Sequence, residues 1–192
     1  MSEFIVGLDL GQALDYTALV ILERLEGGQY HLRHIERLPL GTEYPAVVAY
    51  VDALMARNPL AGHATLVVDA TGVGRPVVDL LRRANLALVA VTITGGDTVQ
   101  WEGSCVHVPK RDLVNALVVL YQSDRLKIAE GLPQAAALVQ ELLNFRVTIN
   151  IATAHDTYEA WREGVHDDLV LATALAAWYG ENGPFGPLAI LI

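Results

Sequence analysis

Three stretches of this sequence set an aspartate where an apolar run begins, breaks or ends. Asp9 interrupts Phe4-Ile-Val-Gly-Leu-Asp-Leu-Gly-Gln12, and Asp69 closes Ala64-Thr-Leu-Val-Val-Asp69. Asp167 and Asp168 open the run Val165-His-Asp-Asp-Leu-Val-Leu-Ala-Thr-Ala-Leu-Ala-Ala-Trp178. A carboxylate inside or beside a buried element is costly unless its charge is compensated. Hard divalent cations supply that compensation through oxygen ligands, and an acidic cluster without cysteine selects Mg2+ or Mn2+ over zinc. The chemistry open to such a site is phosphodiester hydrolysis, with two ions roughly 4 Å apart activating a water and stabilising the leaving oxygen. Each aspartate also has a structural reading. Asp9 and Asp69 can start turns, and Asp167 and Asp168 can cap a helix and complement its dipole. That all three places are structural only is disfavoured, because each closes or interrupts an apolar element. Which of Asp167 and Asp168 faces an ion stays open.

The elements that must position these groups follow from the pattern around them. Phe4 to Gln12 reads as a first strand, broken at Gly11, and the apolar run from Asp15 to Leu22 as a second. Gly27-Gly28 then turns the chain into a third strand over Tyr30 to Leu38. Apolar residues at helical spacing from Tyr44 to Arg57 stop before Asn58-Pro59. Asp69 ends a further strand that feeds a helix opened by Pro76, and ligands bind at that carboxyl edge in open α/β sheets. A strand is expected over Leu86 to Thr94, a surface loop over Gly95 to Ser104 and a short strand over Val106 to Val108. A helix over Lys110 to Gln122 and a brief extended piece over Arg125 to Ile128 come next. The pattern then predicts a helix over Gln134 to Leu143, a strand over Phe145 to Ala152 and a loop or hairpin arm over Thr153 to Gly164. The run after Asp168 is nearly all apolar and reads as a buried helix, so residues 1–182 form one domain and 183–192 a tail.

Composition bounds the function. The chain has 192 residues, 53% hydrophobic and 18% charged, which supports a large core and disfavours disorder. No apolar run reaches the roughly 18 residues of a membrane span, and no membrane partner is expected. The start lacks the basic flank of a signal peptide, and one cysteine, Cys105, fits a reducing compartment, so the chain reads as cytosolic. The net charge of −9 argues against a nucleic-acid coat protein but not against a nuclease, whose catalytic acids add to that charge.

The pattern Gly7-Leu-Asp-Leu-Gly-Gln-Ala-Leu-Asp-Tyr-Thr-Ala18, then Val68-Asp-Ala-Thr-Gly-Val-Gly74, then His166-Asp-Asp-Leu-Val-Leu-Ala172 resembles the nuclease domain of tailed-phage terminase large subunits. Val108-Pro-Lys-Arg-Asp-Leu-Val114 and Ser123-Asp-Arg-Leu-Lys-Ile128 resemble the middle region of that family. The resemblance covers nearly the whole chain. It implies an α/β, ribonuclease H-like fold: a mixed five-stranded sheet, three strands antiparallel and the others parallel, flanked by helices. It also implies a metal-dependent endonuclease acting on double-stranded DNA during genome packaging, in the cytoplasm of a bacterial host and encoded by a phage or prophage. By the family pattern Asp9, Asp69 and Asp168 are the triad that binds Mg2+ or Mn2+, two ions in all, and Asp167 is a candidate fourth acid. His166 is a candidate to position the water or phosphate, with a surface capping role as its alternative. An ATPase motor domain, the portal and a small terminase subunit are the implied protein partners.

The chain departs from that family's large subunits in carrying no G-x-x-x-x-G-K-[ST] phosphate loop. Gly72-Val-Gly74 lacks the lysine and reads as a tight turn after Asp69, so an excised domain or a free-standing relative is expected. Arg75 follows that turn, and Lys110, Arg111, Arg125 and Lys127 are candidates to line a DNA groove. Solvated surface is their alternative. Trp101 and Trp161, both in predicted loops, are weaker candidates. A Holliday-junction resolvase of the same fold, a catalytically silent DNA-binding or assembly module, and a sugar-kinase-like ATPase fragment are the competing readings. Junction cleavage would single out the first, and tight ATP binding the last.

Overall fold

In the computed structural model the runs that end on Asp9 and Asp69 lie side by side. Residues 2–11, 15–72, 74–151 and 167–184 are described, 74 and 144–151 by backbone only. Strand β1 (Glu3–Asp9) pairs in parallel with β4 (Ala64–Asp69), Leu8 opposite Val68. On its other side β1 pairs antiparallel with β2 (Ala18–Arg24), which pairs antiparallel with β3 (Tyr30–Arg37). Strand β5 (Leu88–Thr94) adds in parallel beyond β4. Residues 4–8 of β1 and 66–68 of β4 are buried, covered on both faces, so they read as continuous apolar runs rather than alternating ones.

These five strands are the core expected, but among the described residues the sheet has eight. The short strand expected over Val106 to Val108 and the extended piece over Arg125 to Ile128 supply two of the other three. Strands β6 (Gln100–Glu102), β7 (Cys105–Pro109) and β8 (Leu126–Ile128) extend it to the order β6-β7-β5-β4-β1-β2-β3-β8. All three residues of β6 are exposed, so the stretch read as a surface loop gave no apolar signal for a strand. A β6–β7 hairpin and a parallel β3–β8 pairing close the two edges.

Helices cover both faces. Helix α1 (Tyr44–Met55) and α2 (Gly74–Arg83) pack through Val47, Val51, Val77 and Leu81 onto Val6, Leu8, Leu66 and Val68. On the other face α3 (Lys110–Gln122), α4 (Ala135–Ile151) and α5 (Asp168–Asn182) cover Ile5, Val20 and Val67. The predicted strand over Phe145 to Ala152 is corrected: α4 continues through it to Ile151. No glycine or proline stands between Leu138 and Ile151, and extending a formed helix is far easier than starting a new element. The predicted loop at 153–164, Trp161, His166 and tail residues 185–192 lie outside the described residues.

Helix α5 lies unusually close to the sheet. A Cβ on Gly7 would fall 2.0 Å from the carbonyl oxygen of Ala172, so only glycine permits this approach. Ala172, Ala174, Ala176 and Ala177 give α5 the small profile it needs there. A Cβ on Gly180 would stand 2.9 Å from Ile5, so helix and strand run in opposite directions.

Candidate metal centre

Because β1 and β4 are parallel neighbours, Asp9 and Asp69 leave the sheet at the same edge. The Gly7–Ala172 contact brings the third position to them. Two residues of strand carry β1 on from Gly7 to Asp9, roughly 7 Å, and four residues of helix carry α5 back from Ala172 to Asp168, roughly 6 Å. Asp9 is half-buried at this edge. Its carboxyl is pushed well above the usual carboxylate range, first by burial, then by the charges of Asp69, Asp167, Asp168 and Asp15. The predicted acids therefore share one sheet edge, near enough for the charges of the others to act on Asp9.

Asp69 also has the turn role offered as its alternative. Its Oδ1 accepts the Thr71 N–H at 2.7 Å, and Gly72 takes a left-handed φ of 65°. One carboxyl oxygen thus orders the turn into α2. Asp167 occupies the N-cap position of α5 but makes no side-chain cap bond. The Val170 N–H is satisfied instead by Oε2 of Glu141, at 3.1 Å, reaching across from α4.

Glu141 and Arg37 are site residues that the sequence reading missed. Asp168 is 5% exposed and is gripped by Arg37, whose Nε donates to Oδ2 at 2.7 Å and Nη2 to Oδ1 at 2.9 Å. Nη2 of Arg37 also donates to Oε1 of Glu141. Arg37 stands opposite Ala18, which pairs with Asp9, so it belongs to the acidic edge. Hydrogen bonding to Asp168 holds its guanidinium even more firmly in the charged form. Glu141 is pushed up to about 7 by burial and by the charge of Asp168, against the Val170 hydrogen bond and Arg37. The one sequence signal for Glu141 is its place one turn from buried Leu138 on an apolar helix face. Arg37 gave none.

Among the described residues, no three His, Cys, Asp or Glu side chains stand close enough together to hold an ion as they are. The donor chemistry nonetheless fits a hard cation: the candidate ligands are all carboxylate, the others' charges act on Asp9, and a guanidinium stands on Asp168 as a cation. Beside the cluster, between the β1–β2 turn and the chain after β3, a cavity of about 310 Å3 is lined by Gly11, Asp15, Thr17, Thr42 and Glu43 among others.

The basic candidates divide. Arg75, exposed in the first turn of α2, and Lys110 and Arg111, which open α3 beyond β7, lie at the carboxyl edge with Asp69. Arg111 is held there by Asp97 at 2.7 Å. Arg125 and Lys127 lie elsewhere: β8 pairs with the start of β3, at the sheet end opposite Asp9. Arg125 grips Glu181 through two bonds of 2.7 and 2.8 Å and donates to the Gly28 carbonyl, and Lys127 pairs with Asp124. Trp101, on β6 rather than in a loop, stacks 6.0 Å from Trp178.

A β5-β4-β1-β2-β3 core with acids at the carboxyl ends of β1 and β4 and at the start of α5 makes this a ribonuclease H-like protein. The family model described as the terminase RNaseH-like domain matches residues 6–178, and the chain belongs to that family. Among solved structures it is similar to a mutant nuclease domain of the large terminase subunit gp2 of bacterial virus Sf6, with manganese and beta-thujaplicinol. The identity is 12%, the coverage 92% of this chain and 87% of that one, and the TM-score 0.58. It is also similar to Thermus thermophilus RuvC in complex with a Holliday junction substrate, at 12% identity, 94% and 96% coverage and a TM-score of 0.47. The yeast mitochondrial Holliday junction resolvase Ydc2 follows at 10% identity, 91% and 78% coverage and a TM-score of 0.49. No curated protein matches the chain. Among the described residues no helix is long and apolar enough to cross a membrane.

Proposed function

We propose that the chain is a divalent-metal-dependent endonuclease that cuts double-stranded DNA with little sequence preference, as the nuclease of a phage DNA-packaging terminase. The observation that carries this reading is the convergence of Asp9, Asp69, Asp167 and Asp168, from β1, β4 and α5, on one sheet edge where their charges act together on Asp9. Asp9, Asp69 and Asp168, with Asp167 beside them, would hold Mg2+ or Mn2+, two ions in the full site. Bound there, such ions supply Lewis-acid stabilisation of phosphate oxygens and lower the pKa of water. The chain's own part is to fix the carboxylates: the Thr71 amide orients Asp69, and Gly7 lets α5 bring Asp168 close. His166 would position the water or the phosphate. Arg75, Lys110 and Arg111, at the same edge, would hold backbone phosphates, which positions DNA without reading its sequence. In a DNA-packaging assembly the protein partners would be an ATPase motor domain, the portal or a small terminase subunit, in the cytoplasm of the infected bacterium.

Incubation of supercoiled plasmid with the chain in Mn2+, in Mg2+ and in EDTA tests the reading. Nicking and linearisation are expected only with the cations, and Asp69→Asn should lower the rate by at least about 100-fold, the upper range for weakening a metal site. Cleavage that persists in Asp69→Asn or in EDTA would overturn it.

A further inference from the structure

Arg37 is the last residue of β3, and its guanidinium is shared between two carboxylates. Nε and Nη2 form a fork on both oxygens of Asp168, at 2.7 and 2.9 Å, while Nη2 also reaches Oε1 of Glu141. The ring of Tyr16 lies 5.1 Å from the guanidinium carbon. A fork of this kind covers the side of the carboxylate between its two oxygens, where a cation bound by both would also sit. The Arg37 and Asp168 side chains are only 16% and 7% exposed, so water screens the pair weakly. A single positive charge thus stands on the carboxylate that a divalent ion would need.

Glu141 supplies the other half of an exchange. Its Oε2 is anchored on the Val170 N–H of α5, so Oε1 stays fixed next to Arg37 whatever holds Asp168. Because Nη2 already touches both carboxylates, the guanidinium can leave Asp168 without crossing open solvent and without being left unpaired.

Resting on the metal centre proposed above, we infer that Arg37 is a positioning residue that acts as an exchangeable counter-cation: it holds Asp168 in the metal-free protein and passes to Glu141 when a divalent ion takes that carboxylate. Arg37 therefore competes with the ion, and Glu141 makes the competition reversible.

Calorimetric titration with Mn2+ and melting curves with and without Mn2+ test this on the full chain without any DNA. Arg37→Gln is expected to bind Mn2+ more tightly, by roughly tenfold, the lower end of what neighbours of a metal site govern. Its metal-free melting temperature should fall and be restored by Mn2+ more than that of the wild type. Glu141→Gln, which weakens the alternative partner, should shift Mn2+ affinity the other way. Arg37→Lys keeps the charge but loses the fork, and should fall between wild type and Arg37→Gln even if the glutamine variant folds poorly. Weaker Mn2+ binding by Arg37→Gln, or equal affinities with melting temperatures lowered alike in both conditions, would make Arg37 a fixed brace and overturn the exchange alone. No Mn2+ binding by the wild type or by any variant would sink the metal centre, and the exchange with it.

Discussion

Replacing Asp9 with asparagine separates what this residue does for folding from what it would do for a cation bound at the proposed centre. Its carboxyl sits well above the usual range because burial and four neighbouring acids oppose its charge. The sign follows from which state loses its proton first. As pH rises above the ordinary carboxylate value, the unfolded chain ionises while the folded chain still holds the proton, so folding stability falls with pH. Asparagine removes that penalty. Asp9→Asn should be more stable than the wild type at pH 7 without metal, by about 0.5–2 kcal/mol, the usual yield of relieving a strained functional site. Under the proposed function it should also lose the DNA cleavage and the Mn2+ stabilisation expected of the wild type. Urea unfolding at pH 7, in EDTA and in Mn2+, reads both effects, and a destabilised metal-free variant would contradict the account of Asp9.

The site depends on elements packed more tightly than their sequences announce. Gly7 is the position where α5 touches β1, and its missing Cβ would meet a backbone carbonyl that cannot turn aside. Gly7→Ala should cost about 2–3 kcal/mol, at the upper end of ordinary overpacking. It should also weaken Mn2+ binding, because α5 carries Asp168; calorimetry on the folded variant checks the second effect apart from the first. The contact between α4 and α5 adds a pH dependence. With Glu141 raised to about 7 from an ordinary value near 4.5, the folded state keeps a proton that the unfolded state has lost between those values. Stability without metal should fall by roughly 3 kcal/mol across that window, and urea unfolding in EDTA should show the slope shrink in Glu141→Gln. Strands β1 and β4 and the bounds of α3 were legible because each is a periodic or apolar run with clear stops. Strand β6 and the last turns of α4 were not, the first for want of any apolar residue on a buried face and the second because β-branched residues followed a helix without a break. Arg37 and Glu141 were illegible for another reason: their partners lie 131 and 104 residues apart in the chain, and no local spacing encodes such a pairing.

At the scale of the whole molecule, the proposed DNA substrate would approach a protein of net charge −9, so the placement of the few cations would decide where it binds. The sheet sorts them. Arg75, at the start of α2, is exposed and makes no ion pair with a described residue, and Lys110 opens α3 along the same edge as the acids. At the far end Arg125 is spent inside the fold, forked on Glu181, bonded to the Gly28 carbonyl and lying 5.8 Å over the Tyr30 ring, while the Tyr30 hydroxyl donates to Glu181 at 2.8 Å. The two ends should answer mutation differently. In an Asp69→Asn background that silences cleavage, Arg75→Ala with Lys110→Ala should weaken duplex binding and lower the slope of log affinity against log salt by about 1–2, near 0.9 for each phosphate that is no longer neutralised. Arg125→Ala should leave that slope unchanged and instead destabilise the fold by about 1–3 kcal/mol, since Glu181 and the Gly28 carbonyl are deprived of a charged donor. Fluorescence anisotropy over a range of salt, paired with melting curves, distinguishes the two. A salt slope lowered by Arg125→Ala and untouched by the Arg75 and Lys110 changes would mean that DNA lies across the opposite end of the sheet, away from Asp9 and Asp69.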